Sequence, residues 1–354
     1  MRRMKKRGMM VAQVAATYIG TVVGAGFATG QEIVRFFTVY HVWGLLGILL
    51  STFLFIWLGT KMMVLSHRIK AYSYQELNVF LFGRTVGTVV NLFVLVILFG
   101  VTSVMLSGTG SIFQEQLGLS YQLGIILTIL LCYMVMLKGL KGIFMVNSLV
   151  VPLMLLFSLV VLVSFGWLGI QQSVGGGFQL FQEGELLGQG KWLASALTYV
   201  AFNLAMAQAV LVPLGKEIED ESILKWGGIW GGIGLGFMLL ASHFALLSFM
   251  PEALQLDIPM ALVIKDIGWF LLFLFLLVVY GEVFTTLIGN VFGIARQIHQ
   301  VVLLPEKWTF IMILLSSFVI SQVGFSALVS YLYPFFGYMG LFLLLFLIVK
   351  KQPQ

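Results

Sequence analysis

One carboxylate and two hydroxyls lie close together in an apolar stretch: Glu282, Thr285 and Thr286. Offsets of three and four residues place these side chains on one face of a helix. A carboxylate inside hydrocarbon is expensive and indicates, by default, a path for an ion or a proton. Hydroxyls beside backbone carbonyls form the hard-oxygen environment that Na⁺ accepts, whereas the carboxylate itself could exchange a proton. The alternative is that both threonines bond to a carbonyl one turn earlier in their own helix, as is common in membrane helices.

A second unusual stretch lies near the N-terminus, where glycine occurs four times in eleven residues, at Gly20, Gly24, Gly26 and Gly30. The apolar run around it, from residue 9 to about residue 40, is long enough to cross a bilayer. Each glycine in a helix interior costs roughly 1 kcal/mol relative to alanine, and freed backbone groups in hydrocarbon cost several kcal/mol more unless something binds them. We therefore predict that the first membrane helix is broken here and that its freed backbone faces a ligand.

The sixth apolar run carries two amides, Asn203 and Gln208, at mid-membrane depth. We predict a second interruption over 198–208, because paired interruptions at corresponding positions of two halves are typical of inverted-repeat transporters. The alternative is that the amides only bond across helices. On the first interpretation, a solute lies between the two breaks. The predicted substrate-binding residues are Val23, Gly24, Ala25, Gly26, Phe202 and Asn203.

Two charged residues, Glu32 and Arg35, follow the glycine-rich stretch directly. A spacing of three residues allows a local ion pair near the outer end of the first span, which is the simpler interpretation. The functional interpretation is that Glu32 and Arg35 form part of an exterior gate.

The composition requires a membrane environment for these residues. The chain has 354 residues, of which 60% are hydrophobic and only 10% are charged, and its mean hydropathy is +1.04. No class of soluble globular protein has these values. The net charge of +6 does not indicate nucleic-acid binding, since the basic residues fall in short clusters between apolar runs. We predict an all-α polytopic membrane protein whose first partner is the lipid bilayer.

Apolar runs of about 17–30 residues divide the chain into ten predicted spans. They cover 9–40, 43–65, 86–112, 122–138, 142–168, 192–216, 224–250, 269–295, 308–323 and 326–349. The polar connection 169–190 separates a first five-helix repeat, 9–168, from a second, 192–349, within a single transporter domain over 1–354. With the N-terminus inside, 17 of the 20 Lys and Arg residues lie on the inner side and two on the outer side, with Arg35 near the membrane. Both termini are therefore predicted to be cytoplasmic.

The sequence lacks the residue patterns of an intramembrane enzyme or of a cysteine-based metal site. It has one cysteine, Cys132, within an apolar run, and neither a His-Glu-x-x-His motif nor paired aspartates in the spans. We predict that the protein is not an enzyme and has no resident cofactor.

With these features in place, the sequence resembles the LeuT-type fold of the amino acid–polyamine–organocation transporters, and more narrowly the bacterial YkvI-type permeases. The stretch Gly24-Ala-Gly26-Phe27 looks like the small-residue break of span one in that superfamily, which implies that its amides hold an anionic substrate group. The resemblance also implies a Na⁺ site formed by Gly20 and Val23 together with Glu282, Thr285 and Thr286. Phe27 replaces an asparagine of sodium-coupled relatives, so a second Na⁺ site is not implied. Span ten offers no acidic partner for the Arg-Phe pair at 35–36.

The prediction is thus a ten-helix, 5+5 inverted-repeat transporter with helices one and six broken. We expect it to move a small organic solute, most simply an amino acid, by alternating access in a bacterial-type cell membrane. The coupling ion is Na⁺, slightly favoured, or H⁺. The rival function is a nutrient receptor that keeps the transporter fold and binds solute without net transport. The oligomeric state is left open.

Overall fold

The structure is a computed structural model that describes residues 2–173, 190–255, 258–265, 269–301 and 304–350. Within these ranges every regular element is a helix, as the all-α prediction requires. The predicted exterior connection 169–190 lies largely outside them. The α-helices in chain order are α1 Arg2–Val22, α2 Ala25–Ala28, α3 Gln31–Phe36, α4 His41–Leu54, α5 Thr60–Ile69, α6 Tyr74–Phe82, α7 Arg84–Ser111, α8 Tyr121–Met136, α9 Leu140–Ser173, α10 Lys191–Glu217, α11 Glu221–Leu247, α12 Met260–Lys265, α13 Trp269–Val301, α14 Glu306–Ser321 and α15 Phe325–Val349. A π-helical turn, Phe55–Gly59, joins α4 to α5, and a second, Ile112–Gln116, follows α7.

Seven helical segments of the described chain are long and apolar enough to cross a bilayer, so the protein is a multi-pass membrane protein. Each of the ten predicted spans overlaps a helix, but three of these helices are not among the seven. Helix α1 begins with five basic residues, while α8 and α14 have 16 residues each, fewer than the ~20 that a full crossing needs. The count of ten remains a prediction.

The first apolar run is divided into three helical pieces. Helix α1 ends at Val22, the single turn α2 starts at Ala25, and α3 starts at Gln31. Gly30 between α2 and α3 has a φ of 83°, a left-handed conformation that favours glycine. The chain can therefore change direction twice within ten residues while it stays buried.

Helix α10 lies at the centre of the molecule, and every side chain from 199 to 215 is buried. It packs against α1, α4, α5, α13 and α15. The predicted interruption over 198–208 is wrong, because α10 is continuous. The amide of Asn203 donates to the Tyr199 carbonyl at 2.9 Å and that of Gln208 to the Ala205 carbonyl at 3.0 Å. Both amides thus bond within a stretch rich in alanine, the residue with the highest helix propensity.

Helix α11 presents two faces of glycine to its neighbours. On one face a Cβ atom at any of the glycines would overlap α1, at Gly227 with Val14, Gly231 with Tyr18 and Gly234 with Ile19. On the other face it would overlap α4, α5 or the π-helical turn between them, at Gly228 with Thr60, Gly232 with Ile56 and Gly236 with Thr52. Small residues allow membrane helices to approach at backbone distance. Helix α11 therefore holds α1 and the α4–α5 pair close on either side.

Candidate functional site

The break after α1 lies directly against α13. The Thr286 hydroxyl of α13 donates a hydrogen bond to the Val23 carbonyl, which is the first carbonyl after α1. A Cβ atom at Gly24 would lie 3.2 Å from the Thr286 hydroxyl oxygen, so glycine permits this close approach. Both Val23 and Thr286 are buried. Two parts of the chain that are 263 positions apart thus meet through a hydroxyl and a carbonyl.

Glu282 lies one turn before Thr286 on α13, and Thr285 directly precedes Thr286. The Thr285 hydroxyl donates to the main-chain carbonyl of Glu282 at 2.9 Å, which is the intrahelical bonding that the sequence left open. A hydroxyl that donates its hydrogen keeps its lone pairs, so this bond does not remove Thr285 from a set of cation ligands. The Glu282 carboxyl group is buried, and its Oε2 atom has no hydrogen-bond partner among the described residues. An unpartnered buried carboxyl oxygen favours binding of a proton or a cation.

Gly20, in the last turn of α1, packs against Asn147 of α9. A Cβ atom at Gly20 would overlap the Asn147 side chain, whose Nδ2 donates to the Ile143 carbonyl at 3.0 Å. Its Oδ1 atom has no partner in the described part of the chain. Asn147 therefore adds one hard-oxygen group beside the last turn of α1.

The two predicted gate residues lie in different environments. Arg35 is exposed, whereas Glu32 is buried and shares a hydrogen bond with the Tyr333 hydroxyl of α15. The Glu32 carboxyl group also lies against Gly26, where a Cβ atom would be 2.7 Å from Glu32 Cγ and 2.8 Å from Cδ. Glu32 therefore folds back onto α2 and joins the region after α1 to α15.

Tyr333, which bonds to this carboxyl group, packs against further aromatic side chains. The Phe202 and Tyr333 rings lie 4.9 Å apart, and Phe202 stacks on Phe336 at 6.2 Å. The Tyr199 hydroxyl is buried, has no hydrogen-bond partner among the described residues, and interacts electrostatically with Glu32 and Glu282. Asn203 is also buried, and its Oδ1 atom lacks a partner within the described chain. Residues from α3, α10, α13 and α15 thus form one polar cluster inside an apolar protein.

A small cavity of about 20 Å³ lies between α2, α9, α11 and α13. Its wall is apolar apart from Ser158, Ser242 and Glu282. This volume has room for about one water-sized particle. Glu282 lines this cavity, whereas Thr286 and Val23 do not.

Tyr333 and Tyr199 are the functional candidates that sequence reasoning missed. Both are tyrosines in long apolar helices, where an aromatic residue is usually packing. One signal was available in the sequence. The last span has no acidic residue that could pair with Arg35, so a partner in that span for the charged residues after the first break had to be a neutral group such as a tyrosine hydroxyl.

Comparisons with known proteins agree with this architecture. No model of a protein family matches the chain. The chain is 45% identical over 349 residues to the uncharacterized membrane protein YkvI of Bacillus subtilis (strain 168), covering 97% of this chain and 96% of YkvI. It is 26% identical over 332 residues to the uncharacterized protein YyaD of the same organism, covering 94% of each chain.

Among solved structures, MhsT in complex with L-phenylalanine superposes with a TM-score of 0.67 at 13% identity, covering 90% of this chain and 79% of MhsT. Mhp1, a nucleobase-cation-symport-1 family transporter, gives 0.55 at 13% identity over 93% of this chain and 77% of Mhp1. A manganese transporter of Eremococcus coleocola gives 0.53 at 13% identity, with 96% and 76% covered. MhsT and Mhp1 have the LeuT fold, so the chain is similar to them in fold, as the sequence resemblance implied.

The similarity to YkvI extends over nearly the full length of both chains. The chain belongs to the YkvI family of membrane proteins.

Proposed function

We propose that the protein is a cation-coupled secondary transporter of a small organic solute, most simply an amino acid, that works by alternating access. The observation that carries this proposal is the contact between Thr286 and Val23 beside the buried carboxyl group of Glu282. A carbonyl, two hydroxyls and a carboxylate around a helix break can bind a small cation, and the fold is that of known transporters.

The proposed cation ligands are the carbonyls of Gly20, Val23 and Glu282 and the hydroxyls of Thr285 and Thr286. In the present structure the Thr286 hydroxyl and the Val23 carbonyl bond to one another, so a cation would enter between them and replace that bond. The ion would then link α1 and α13 in place of the direct hydrogen bond, and this couples the cation to the position of the break.

The proposed solute site comprises the break itself, Val23 to Gly26, together with Phe202 and Asn203 of α10. The solute would lie against the continuous helix α10, where the unpartnered Oδ1 of Asn203 is available as an acceptor. The start of α2 supplies backbone N–H groups that have no partner within their own helix, and Phe202 supplies an apolar wall.

We also propose that the chain has the ten-helix, 5+5 arrangement of the amino acid–polyamine–organocation superfamily, with both termini on the cytoplasmic side of a bacterial cell membrane. The distribution of Lys and Arg supports this orientation. Cysteine labelling from outside the cell tests it, with Cys132→Ser as background. Single cysteines at exposed positions 191 and 307 should react from opposite sides of the membrane.

The decisive experiment is uptake of a mixed amino-acid pool by the purified protein in lipid vesicles, with an imposed Na⁺ gradient or an imposed pH gradient. If Na⁺ is the coupling ion, the Na⁺ gradient drives accumulation, and the double variant Thr285→Ala/Thr286→Ala loses it. If H⁺ is the coupling ion, the pH gradient drives accumulation, and Glu282→Gln abolishes it. Thr88→Ala is the matched control, because Thr88 is an exposed threonine of α7 that bonds to its own helix.

Accumulation in neither gradient, with solute binding retained, would contradict the transport proposal. The protein would then act as a receptor that keeps the transporter fold.

A further inference from the structure

The interior of the protein carries an excess of acidic groups. Glu32 and Glu282 are buried and close enough to interact electrostatically. No lysine or arginine whose side chain the structure describes is buried. The buried histidine, His243 of α11, faces the Thr38 hydroxyl at 3.2 Å. A buried carboxylate needs a proton, an ion or a positively charged group as partner.

The two carboxyl groups have different surroundings and therefore different roles. Glu282 lies on the helix that carries Thr285 and Thr286, so the proposed coupling cation neutralises its charge. Glu32 lies on the other side of the break, against Gly26, and is held there by the Tyr333 hydroxyl. One small cation at Thr286 leaves Glu32 to be neutralised by something else.

The surroundings of Glu32 fit an organic cation. The Tyr333 hydroxyl bonds to the carboxyl group, and the Phe202 ring lies 4.9 Å from the Tyr333 ring. The buried Tyr199 hydroxyl interacts electrostatically with Glu32 and has no hydrogen-bond partner among the described residues. The faces of aromatic rings attract an ammonium group, and a carboxylate with an adjacent hydroxyl accepts its hydrogen bonds. The neighbouring Gln31 adds a buried amide oxygen that also lacks a partner in the described chain.

We propose that Glu32, positioned by Tyr333, is the subsite that binds the ammonium group of the solute. This inference rests on the proposed function and names its substrate class, which is a solute with a protonated amine. The sequence resemblance instead implied that the break holds an anionic group of the solute. With the Glu32 carboxyl group lying on Gly26, an anion at that place would face like charge, and a solute carboxylate is not required for binding.

Binding of three solute pools by the purified full-length protein tests this inference. The pools are the twenty amino acids, the amines that lack only their carboxyl groups, and the carboxylic acids that lack only their amino groups. Thermal unfolding of the protein in detergent, recorded with increasing pool concentration, gives an apparent affinity for each pool. We expect the amino acids and the amines to raise the unfolding temperature and the carboxylic acids to leave it unchanged.

The variants separate recognition from folding. Glu32→Gln keeps the shape of the side chain and removes its charge, so it should weaken binding of the amino acids and the amines by about tenfold to a hundredfold. Glu32→Asp should restore part of that loss, because it returns the charge at a shorter reach. Tyr333→Phe should give an intermediate loss, since the carboxylate remains but is no longer held. Glu306→Gln, at an exposed position of α14, is the matched control and should bind as the wild type does.

Two results would overturn the inference. One is binding of the carboxylic acids as tightly as the amines, and the other is a well-folded Glu32→Gln variant that binds amines with wild-type affinity. If Glu32→Gln does not fold, Glu32→Asp and Tyr333→Phe replace it in the binding measurements with the three pools. Wild-type affinity of both variants for the amines would then overturn the inference. Failure of the proposed function looks different, because amines would then bind selectively but would not accumulate in vesicles.

Discussion

Replacement of Gly232 by alanine tests whether α11 is held at backbone distance from its neighbour. A Cβ atom at Gly232 would lie 2.8 Å from the backbone nitrogen and 2.9 Å from the Cα atom of Ile56. Ordinary carbon contacts lie at about 3.5–4.0 Å, so the π-helical turn and α11 must separate by roughly 0.5–1 Å. Overpacking of this kind costs about 1–3 kcal/mol, and the higher helix propensity of alanine returns up to about 1 kcal/mol. The expected net loss of stability is therefore about 1–2 kcal/mol.

Gly234→Ala is the matched control on the same helix. Its Cβ atom would overlap only Ile19 Cδ1, at 2.6 Å, which is the end of a flexible side chain that can rotate away. The gain in helix propensity should then balance or exceed the cost, and stability should be unchanged or slightly higher.

Equilibrium unfolding in mixed micelles, followed by tryptophan fluorescence, measures both variants against the wild type. Equal stabilities for Gly232→Ala and Gly234→Ala would refute the reasoning, because backbone atoms and side-chain ends would then move equally easily away from the added methyl group. A loss for Gly232→Ala that vanishes when Ile56 is changed to alanine would assign the clash to the Ile56 side chain and not to its backbone.

Further predictions concern the hydroxyls of α13 and the charged residues at the start of α11. Thr286→Val should weaken the apparent affinity for Na⁺ about tenfold or more, because it removes the hydroxyl that reaches the break, whereas Thr285→Val should have a smaller effect. Titration of the unfolding temperature with Na⁺ measures both variants. Equal effects of the two substitutions would contradict the reasoning. Arg68→Lys replaces two hydrogen bonds to the Glu221 carboxylate, at 2.9 and 3.1 Å, by a single one. Since these side chains are partly exposed, we expect the free energy of unfolding to fall by no more than about 1 kcal/mol in the same unfolding assay. A larger loss would indicate that this pair fixes α5 and α11 to one another.

The sequence predicted the helical class and the grouping of nearby residues on one helix better than it predicted which helices are interrupted. The offsets of Glu282, Thr285 and Thr286 correctly grouped them on one helix, since helical periodicity depends on spacing alone. The break over 198–208 was predicted from two amides in apolar surroundings. That signal does not separate an interrupted helix from one whose amides bond to their own carbonyls, as Asn203 does.

The contact between Glu32 and Tyr333 could not be predicted, because it depends on how α15 packs against the region after α1. The spacing of Glu32 and Arg35 indicated a local pair, and a contact with a residue some 300 positions away leaves no mark in a single sequence. For the same reason the role of Asn147 beside Gly20 required the packing of α9 against α1. Which residues bind a cation or a solute is still a prediction.

The excess of buried negative charge has an electrical consequence. An elementary charge that crosses the full membrane field changes its energy by about 2.3 kcal/mol per 100 mV. With Glu32 and Glu282 ionised, the empty protein carries its own charge into the field, and a bound cation cancels part of it. In the proposed transport cycle, the membrane potential then acts on the return of the empty protein as well as on the bound cation and solute. A voltage step applied without solute should therefore produce a transient current at a pH at which these carboxyl groups are ionised, and none at a pH at which both carry a proton.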